Sequence, residues 1–170
     1  MDKEELRKQS SLGKDFLTYL CYKSDRESGQ VAPQGSDGQY YLWVDGKIAL
    51  EDDKDPPPNT VSHSGNDFTD HDLKQALRSG KKVKEARFRI EQGANTWIFT
   101  LKAERFEISG LKIDIEKTND LDENFAARML SIEALNTMLD ELYQNFVNEV
   151  LHKTWNESGY QEFQKWLAKK

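Results

Sequence analysis

Apolar residues recur at helical spacing near both ends of the chain and alternate with polar residues in its middle. Residues 11–22 have apolar side chains at three- and four-residue steps, which predicts a helix. After Asp122 the same steps predict a long helix over about 123–153, and after an "NESG" break a short terminal helix over 159–169. The apolar face predicted for the long helix comprises Phe125, Ile132, Leu135, Leu139, Leu142 and Phe146, widened by Met129, Met138, Tyr143 and Val150.

The middle of the chain predicts two β-hairpins and one further strand. In 39–51, Asp45-Gly46 lies between two runs rich in strand-forming residues and suits a two-residue turn, which would place Trp43 opposite Ile48. In that hairpin Tyr40, Leu42 and Val44 would form an apolar second face. Ala86, Phe88 and Ile90 alternate with charged residues, and after a turn near Gly93 the residues Trp97, Phe99 and Leu101 form the matching face. A last strand is expected between Phe106 and Ile115, interrupted at Ser109-Gly110.

The segments between these elements carry turn and capping signals. The acidic, proline-rich stretch 51–59 predicts a loop, because proline cannot donate to a strand ladder. Thr69 and Asp72 have the spacing of a helix-starting capping box, and Gly80 is the glycine expected just after the helix end. We therefore expect one α+β domain over 1–170, with an antiparallel sheet built from two hairpins, helices on one face and a long C-terminal helix. The predicted core includes Leu20, Trp43, Phe88, Phe99, Ile132, Leu139 and Phe146.

Composition and charge argue against a disulfide-bonded, secreted or membrane-spanning protein. The 170 residues carry a net charge of −6 with 32% charged residues, which predicts a strongly solvated surface. With one cysteine, Cys21, no intramolecular disulfide can form. The charged N-terminus lacks the apolar core of a secretory signal, and no apolar run is long enough to span a membrane. The expected location is the cytoplasm, with association to the nucleoid as an option.

The charge is unevenly distributed. Residues 74–112 contain ten Lys or Arg and four Glu, so this segment carries +6 in a chain whose remainder must carry −12. A basic strip of Lys81, Lys82, Lys84, Arg87 and Arg89 is the candidate nucleic-acid-binding site. The alternative is a solvated sheet face, since Glu85 would lie opposite Lys102 across the hairpin. For phosphate binding, Arg87 and Arg89 must project away from the core and the strip must be free of carboxylate neighbours.

The sequence contains no catalytic signature. There is no phosphate loop, no nucleophile elbow and no dinucleotide-binding turn, and His63, His71 and His152 are far apart. The acidic residues of 51–59 lack the spacing of a calcium loop. Cys21 lies among apolar residues and is expected in the core; a cysteine-dependent enzyme would need it exposed with a lowered pKa. We expect no enzyme, no cofactor, no metal and no small-molecule substrate.

The order of segments resembles the C-terminal half of the recombination-associated RdgC family. The resemblance covers roughly residues 12–150 and rests on "ALRSGKKV", the alternating hairpin that follows, and the acidic lead into "DENFAARMLSIEALNTMLDELYQNF". Members of that family are non-catalytic proteins that form ring-shaped dimers around double-stranded DNA, with positive charge lining the ring. The resemblance therefore implies a DNA-associated accessory protein that contacts phosphates through the basic strip.

A second class of function stays open from the residues alone. The long helix, or the apolar second face of the 39–51 hairpin, could form a protein–protein interface, most simply in a homodimer. Phosphate binding weakens steeply with salt, whereas an apolar interface responds little, so the two functions are separable.

Overall fold

The computed structural model describes residues 3–32, 38–52, 60–64, 71–151 and 158–169, which form five strands, four α-helices and a π-helical segment. In chain order these are α1 (Lys3–Arg26), β1 (Tyr41–Glu51), β2 (Thr60–Ser64), α2 (His71–Arg78), β3 (Lys82–Gln92), β4 (Asn95–Lys102), β5 (Glu107–Ile113), α3 (Leu121–Phe146), the π-helical segment (Val147–Leu151) and α4 (Tyr160–Ala168). The strands form one antiparallel sheet in the order β2–β1–β3–β4–β5. The predicted α+β class, with an antiparallel sheet and a long C-terminal helix, is confirmed.

One face of the sheet packs against the helices and forms the core. Leu42 of β1, Phe88 of β3 and Phe99 of β4 are buried there with Phe16 of α1. Of the predicted core residues, Leu20, Phe88, Phe99 and Phe146 are buried, whereas Trp43, Ile132 and Leu139 are only half-buried. The opposite face, here called the outer face, carries the alternate residues of each strand.

Helix α1 lies directly on the sheet. The Thr18 hydroxyl accepts a hydrogen bond from the Val83 amide of β3 at 2.9 Å. An ideal Cβ on Gly13 would lie 2.1 Å from the carbonyl oxygen of Ala103, so the helix backbone touches the turn that follows β4. This close approach requires a residue without a side chain at position 13.

The expected hairpin turn at Asp45-Gly46 is wrong. These residues lie inside the single strand β1, at a bulge where Val44 pairs with Phe88 and Ile48 pairs with Ala86. Three residues of β1 therefore lie opposite one residue of β3. Gly46 has φ +84°, and an Asp-Gly pair supplies that backbone conformation for a bulge as readily as for a turn. The antiparallel partner that follows β1 in the chain is β2 instead, with Glu51 opposite Thr60.

The bulge also reverses the faces expected for the first half of β1. Tyr40, Leu42 and Val44 are buried in the core, so the apolar second face expected for 39–51 is not an available surface. Trp43 lies on the outer face, where an ideal Cβ on Gly29 would come within 2.7 Å of its ring. Trp43, predicted as a core residue from the expected hairpin, therefore covers the loop after α1.

The second hairpin and the last strand are confirmed. Phe88 pairs with Phe99 and Glu85 with Lys102 across β3 and β4, and Gly93 in the turn has φ +59°. Strand β5 pairs with β4, and the irregularity expected at Ser109-Gly110 appears as a register shift.

The helix boundaries follow the capping signals where the structure describes them. The Lys81 amide donates to the Ala76 carbonyl at 3.1 Å and the Gly80 amide to the Leu77 carbonyl at 3.1 Å, which is the glycine cap expected after α2. The Asp120 side chain accepts from the first amides of α3. Helix α4 matches the predicted short helix. Two predictions fall outside the described residues, namely the helix-starting Thr69 and positions 53–59 of the predicted loop. The first two residues of that loop are described, and Glu51 is the last residue of β1.

Candidate functional site

The basic strip runs along β3 from just before its first residue. Phe88 and Ile90 are buried, so Arg87 and Arg89 project from the outer face, as the nucleic-acid interpretation requires. Lys82 is the first residue of β3. Ala49 of β1 pairs with Glu85 and Leu50 with Val83, so Lys84 lies between two pairs at a second irregularity of the ladder. The geometric part of the expectation for the two arginines is met.

The electrostatic part of the expectation is not met, because each of the five basic residues lies beside a carboxylate. The partners come from three different elements and from the residue after β1, so most of them are distant in sequence. The ion pairs are Lys81–Asp52 at 2.9 Å, Lys82–Asp15 at 2.8 Å, Lys84–Glu51 at 3.6 Å, Arg87–Asp45 at 3.1 Å and Arg89–Glu91 at 3.2 Å. The patch free of carboxylates that the sequence predicted for phosphate binding does not form.

The two arginines differ in how well their partners hold them. The Arg87 Nε donates to Asp45 Oδ2 with hydrogen-bonding geometry, because Val44 pairs with Phe88 and the next residue, Asp45, therefore lies beside Arg87. The Arg89 Nε is within ion-pair distance of Glu91, yet it is buried and makes no hydrogen bond of acceptable geometry. The Arg89 side chain is 42% exposed, so its outer nitrogens remain accessible to solvent.

Two further cross-strand ion pairs lie on the outer face. Lys47 lies 3.5 Å from Glu85, and Lys102 lies 3.3 Å from Glu107. Exposed pairs of this kind contribute little to stability, about 0–1 kcal/mol each. Their main effect is to cancel the positive potential that attracts a polyanion. These ion pairs are the pattern expected for a solvated sheet face rather than for a basic patch.

A different surface is exposed and apolar. Helix α3 buries Leu135, Met138, Leu142 and Phe146 in its second half, and Trp97 Nε1 donates to the Ser131 carbonyl near the middle of the helix at 3.0 Å. In its first half Leu121 is 83% exposed, Phe125 67% and Met129 50%, and Ile132 is half-buried. These four residues follow steps of four, four and three, so they share one side of the helix. We call them the apolar stripe.

The spacing of apolar residues does not distinguish this stripe from the core. Phe125, Met129 and Ile132 follow the same three- and four-residue steps as the buried residues from Leu135 to Phe146. One continuous apolar pattern thus contains a stripe that packs on the sheet and another that is exposed. Leu130 is 66% exposed as well, but it lies five residues after Phe125 and therefore points to a different side of the helix.

Cys21 lies on α1 and is buried in the hydrophobic core, and this burial raises the pKa of its thiol. It therefore lacks the exposure and lowered pKa that a cysteine nucleophile requires. Within the described residues, no group of three or more His, Cys, Asp or Glu side chains is placed to hold a metal ion. His152 and the side chains of His63 and His71 lie outside the described part of the chain.

Comparison with known proteins does not assign a class. No protein-family model matches this chain, and no curated protein matches its sequence. In the described part of the chain, no helix combines the length and the apolar character needed to cross a membrane.

Proposed function

We propose that this protein is a non-catalytic interaction module that forms a homodimer through the apolar stripe of α3. The observation that carries the proposal is the exposure of Leu121, Phe125 and Met129 on one side of a helix whose other half is buried. Large apolar side chains grouped on one surface are typical of protein–protein contact sites. The carboxylates beside the basic strip also favour a partner bound by apolar contact over one bound by charge.

A second copy of the chain is the occupant that the stripe fits. If two α3 helices pack antiparallel about a two-fold axis near Ala127, Phe125 of each copy lies opposite Met129 of the other. The same contact is then made twice, and a thioether against an aromatic ring is a favourable pairing. Such a two-fold arrangement needs no partner other than this chain.

The expected dimer is weak. Complete burial of a Phe or Met side chain contributes about 1.5–3 kcal/mol, so two Phe125–Met129 contacts supply at most about 6–12 kcal/mol. Association costs about 4–15 kcal/mol in reduced freedom of motion, which removes most of that gain. The largest gain less the smallest cost leaves about 8 kcal/mol, so we expect a dissociation constant that is micromolar at the tightest, and little dependence on salt.

The test is the oligomeric state by sedimentation equilibrium over about 5–500 µM, which brackets micromolar affinity. Phe125→Glu should make the protein monomeric at concentrations where the wild type is dimeric. Leu130→Glu is the matched control, because it places the same charge on the same helix at a position of nearly equal exposure, 66% against 67%. A monomeric wild type at the highest concentration, or equal weakening of the dimer in both variants, would refute the proposal.

DNA binding by the basic strip is the second candidate. It is the function implied by the resemblance to the RdgC family, and it would act without catalysis or sequence preference in recombination or nucleoid organisation. The supporting observation is that Arg87 and Arg89 project together from the outer face, away from the helices. For this candidate, Lys81, Lys82, Lys84, Arg87 and Arg89 must exchange their carboxylate partners for phosphates. Duplex binding measured as a function of salt concentration tests it.

A further inference from the structure

A cavity of about 520 Å³ lies between α1, the turn after α2, the π-helical segment and α4. Its volume falls within the range of about 300–1,000 Å³ that is usual for small-molecule sites. The apolar part of its wall is formed by Leu77, Phe146, Val150, Phe163 and Leu167. The cavity shares no residue with the apolar stripe of α3. It shares Lys81 and Lys82 with the basic strip.

Three of the four charged residues in the wall are cations. Arg78, Lys81 and Lys82 line the cavity together with one carboxylate, Asp15, and several uncharged polar side chains. The Arg78 Nε donates to the Leu167 carbonyl at 2.7 Å, which fixes the guanidinium at the cavity edge. A guanidinium has five donors, so Arg78 can bind an anion in addition to the Leu167 carbonyl. Lys82 lies beside Asp15 at 2.8 Å and adds a partly exposed cation to the same wall.

Packing around the cavity holds its walls in place. Phe163 stacks on Trp166 with ring centroids 5.7 Å apart and meets the edge of Tyr22 at 5.2 Å. The Tyr19 hydroxyl on the α1 side accepts from Asn145 Nδ2 at 3.0 Å, and burial raises its pKa, so it stays a neutral group. The opposite wall includes Val150 of the π-helical segment, and π-helical turns occur frequently at functional sites.

We propose that this cavity binds a small amphipathic carboxylate, with its apolar tail against Leu77, Phe146 and Phe163 and its carboxylate at Lys82 and Arg78. The apolar wall excludes a purely ionic ligand, and the cations at the edge discriminate against a tail that carries a positive head. Placing the tail out of water supplies most of the affinity, and the charge supplies orientation.

Decanoate is the probe, titrated by calorimetry against decyltrimethylammonium, which has the same tail and the opposite charge. Decanoate should bind the wild type with one site per chain and at least about tenfold more tightly than the cation. Saturation of decanoate binding should be reached below about 1 mM. No binding in this range, or equal binding of both probes, would overturn the proposal.

Two variants on α4 locate the binding site. Gln164 lines the cavity and Gln161 does not, and both are exposed residues of the same helix. Gln164→Trp should fill the cavity and weaken decanoate binding at least about tenfold, while Gln161→Trp should leave it unchanged. Equal affinities in the two variants would place the ligand elsewhere and refute the assignment.

A third variant separates this site from the apolar stripe. Phe125→Glu should bind decanoate as the wild type does, because Phe125 is not part of the cavity wall. Lys82→Gln should weaken decanoate binding about two- to fivefold, as expected for a partly exposed charge contact. Failure of Phe125→Glu to bind decanoate would show that the stripe, and not the cavity, holds the probe.

Discussion

Arg87 and Asp45 form an ion pair between neighbouring strands, with Nε 3.1 Å from Oδ2, at the bulge where β1 has more residues than β3 can match. The register before the bulge, with Val44 opposite Phe88, places the next residue, Asp45, beside Arg87. Gly46 follows directly with φ +84° and begins the bulge. The ion pair and the change in the path of β1 therefore lie at adjacent residues.

Replacing Gly46 by valine should destabilise the fold. The φ of +84° is accessible to glycine but strained for a β-branched residue, which costs about 1–2 kcal/mol or more in free energy of unfolding. Urea denaturation measures this change. Lys47→Ala at the neighbouring position, whose side chain is 60% exposed, is the control and should change stability by less than about 0.5 kcal/mol. Equal stabilities of Gly46→Val and wild type would contradict the bulge.

Replacing Arg87 and Arg89 together by serine tests DNA binding through the basic strip. Both side chains are partly exposed, so stability should change by about 0.5 kcal/mol or less per site. If the strip binds phosphates, the slope of log affinity against log salt should fall by about two, one for each phosphate that is no longer bound. Equilibrium binding to several duplex sequences measures the slope and should show no sequence preference.

The control for that experiment is a second pair of cations on the same face. Lys47 and Lys102 are paired with Glu85 and Glu107 but lie outside the predicted strip. Lys47→Ser with Lys102→Ser should leave the slope unchanged. If the wild type does not bind duplex DNA at about 50 mM salt, or if the Arg87 and Arg89 variant binds equally well, the DNA candidate fails.

Stability should fall at alkaline pH because of Cys21. Burial raises the pKa of this thiol, so the folded protein keeps a proton that the unfolded chain releases above about pH 8.5. The unfolded state then binds fewer protons, and the free energy of unfolding decreases as pH rises, by up to about 1.4 kcal/mol per pH unit. Urea denaturation at about pH 7, 8.5 and 10 measures the slope.

Cys21→Ala removes this contribution and should show a shallower decrease between about pH 8.5 and 10 than the wild type. Tyr22 also has a raised pKa through burial, so a residual decrease near about pH 10 is expected in both proteins. Identical slopes in the wild type and Cys21→Ala would show that the thiol does not titrate differently in the two states.

Gly13→Ala should destabilise the protein although alanine is the better helix former. In a solvent-exposed helix this change stabilises by about 1 kcal/mol. Here the added Cβ would lie 2.1 Å from the Ala103 carbonyl oxygen, so the backbone of α1 or of the turn must move. Overpacking of this kind costs about 1–3 kcal/mol, and the melting temperature should fall. A rise in melting temperature would mean that α1 does not approach the turn so closely.

The predictions from sequence held where neighbouring residues decide the structure. The β3–β4 hairpin was predictable because its apolar alternation and its glycine turn agree on one register. Asp45-Gly46 was not, because the same dipeptide serves a turn and a bulge, and the choice depends on the distant partner β3. Because the turn was predicted wrongly, Trp43 was also predicted on the core face, whereas it lies on the outer face.

The candidate site shows the same limit more strongly. The side-chain direction of Arg87 and Arg89 follows from strand alternation and was predicted. The carboxylate neighbours were not predicted, because they come from distant parts of the chain. Lys82 forms an ion pair with Asp15 of α1 and Lys81 with Asp52, at separations of 67 and 29 residues in the sequence. Charge counted along a segment therefore overestimates the positive potential of a folded surface whenever other elements bring carboxylates to it.

The position of α1 ahead of its packing partners has a consequence for synthesis. Its buried residues Phe16, Leu17 and Leu20 rest on a sheet whose strand β3 begins at Lys82, and Gly13 contacts Ala103. At a translation rate of about 5–20 residues per second, about 4–20 s pass before the ribosome has made the surface that covers them. During that interval the apolar residues of α1 have no sheet to cover them, and such transient exposure favours aggregation of the nascent chain.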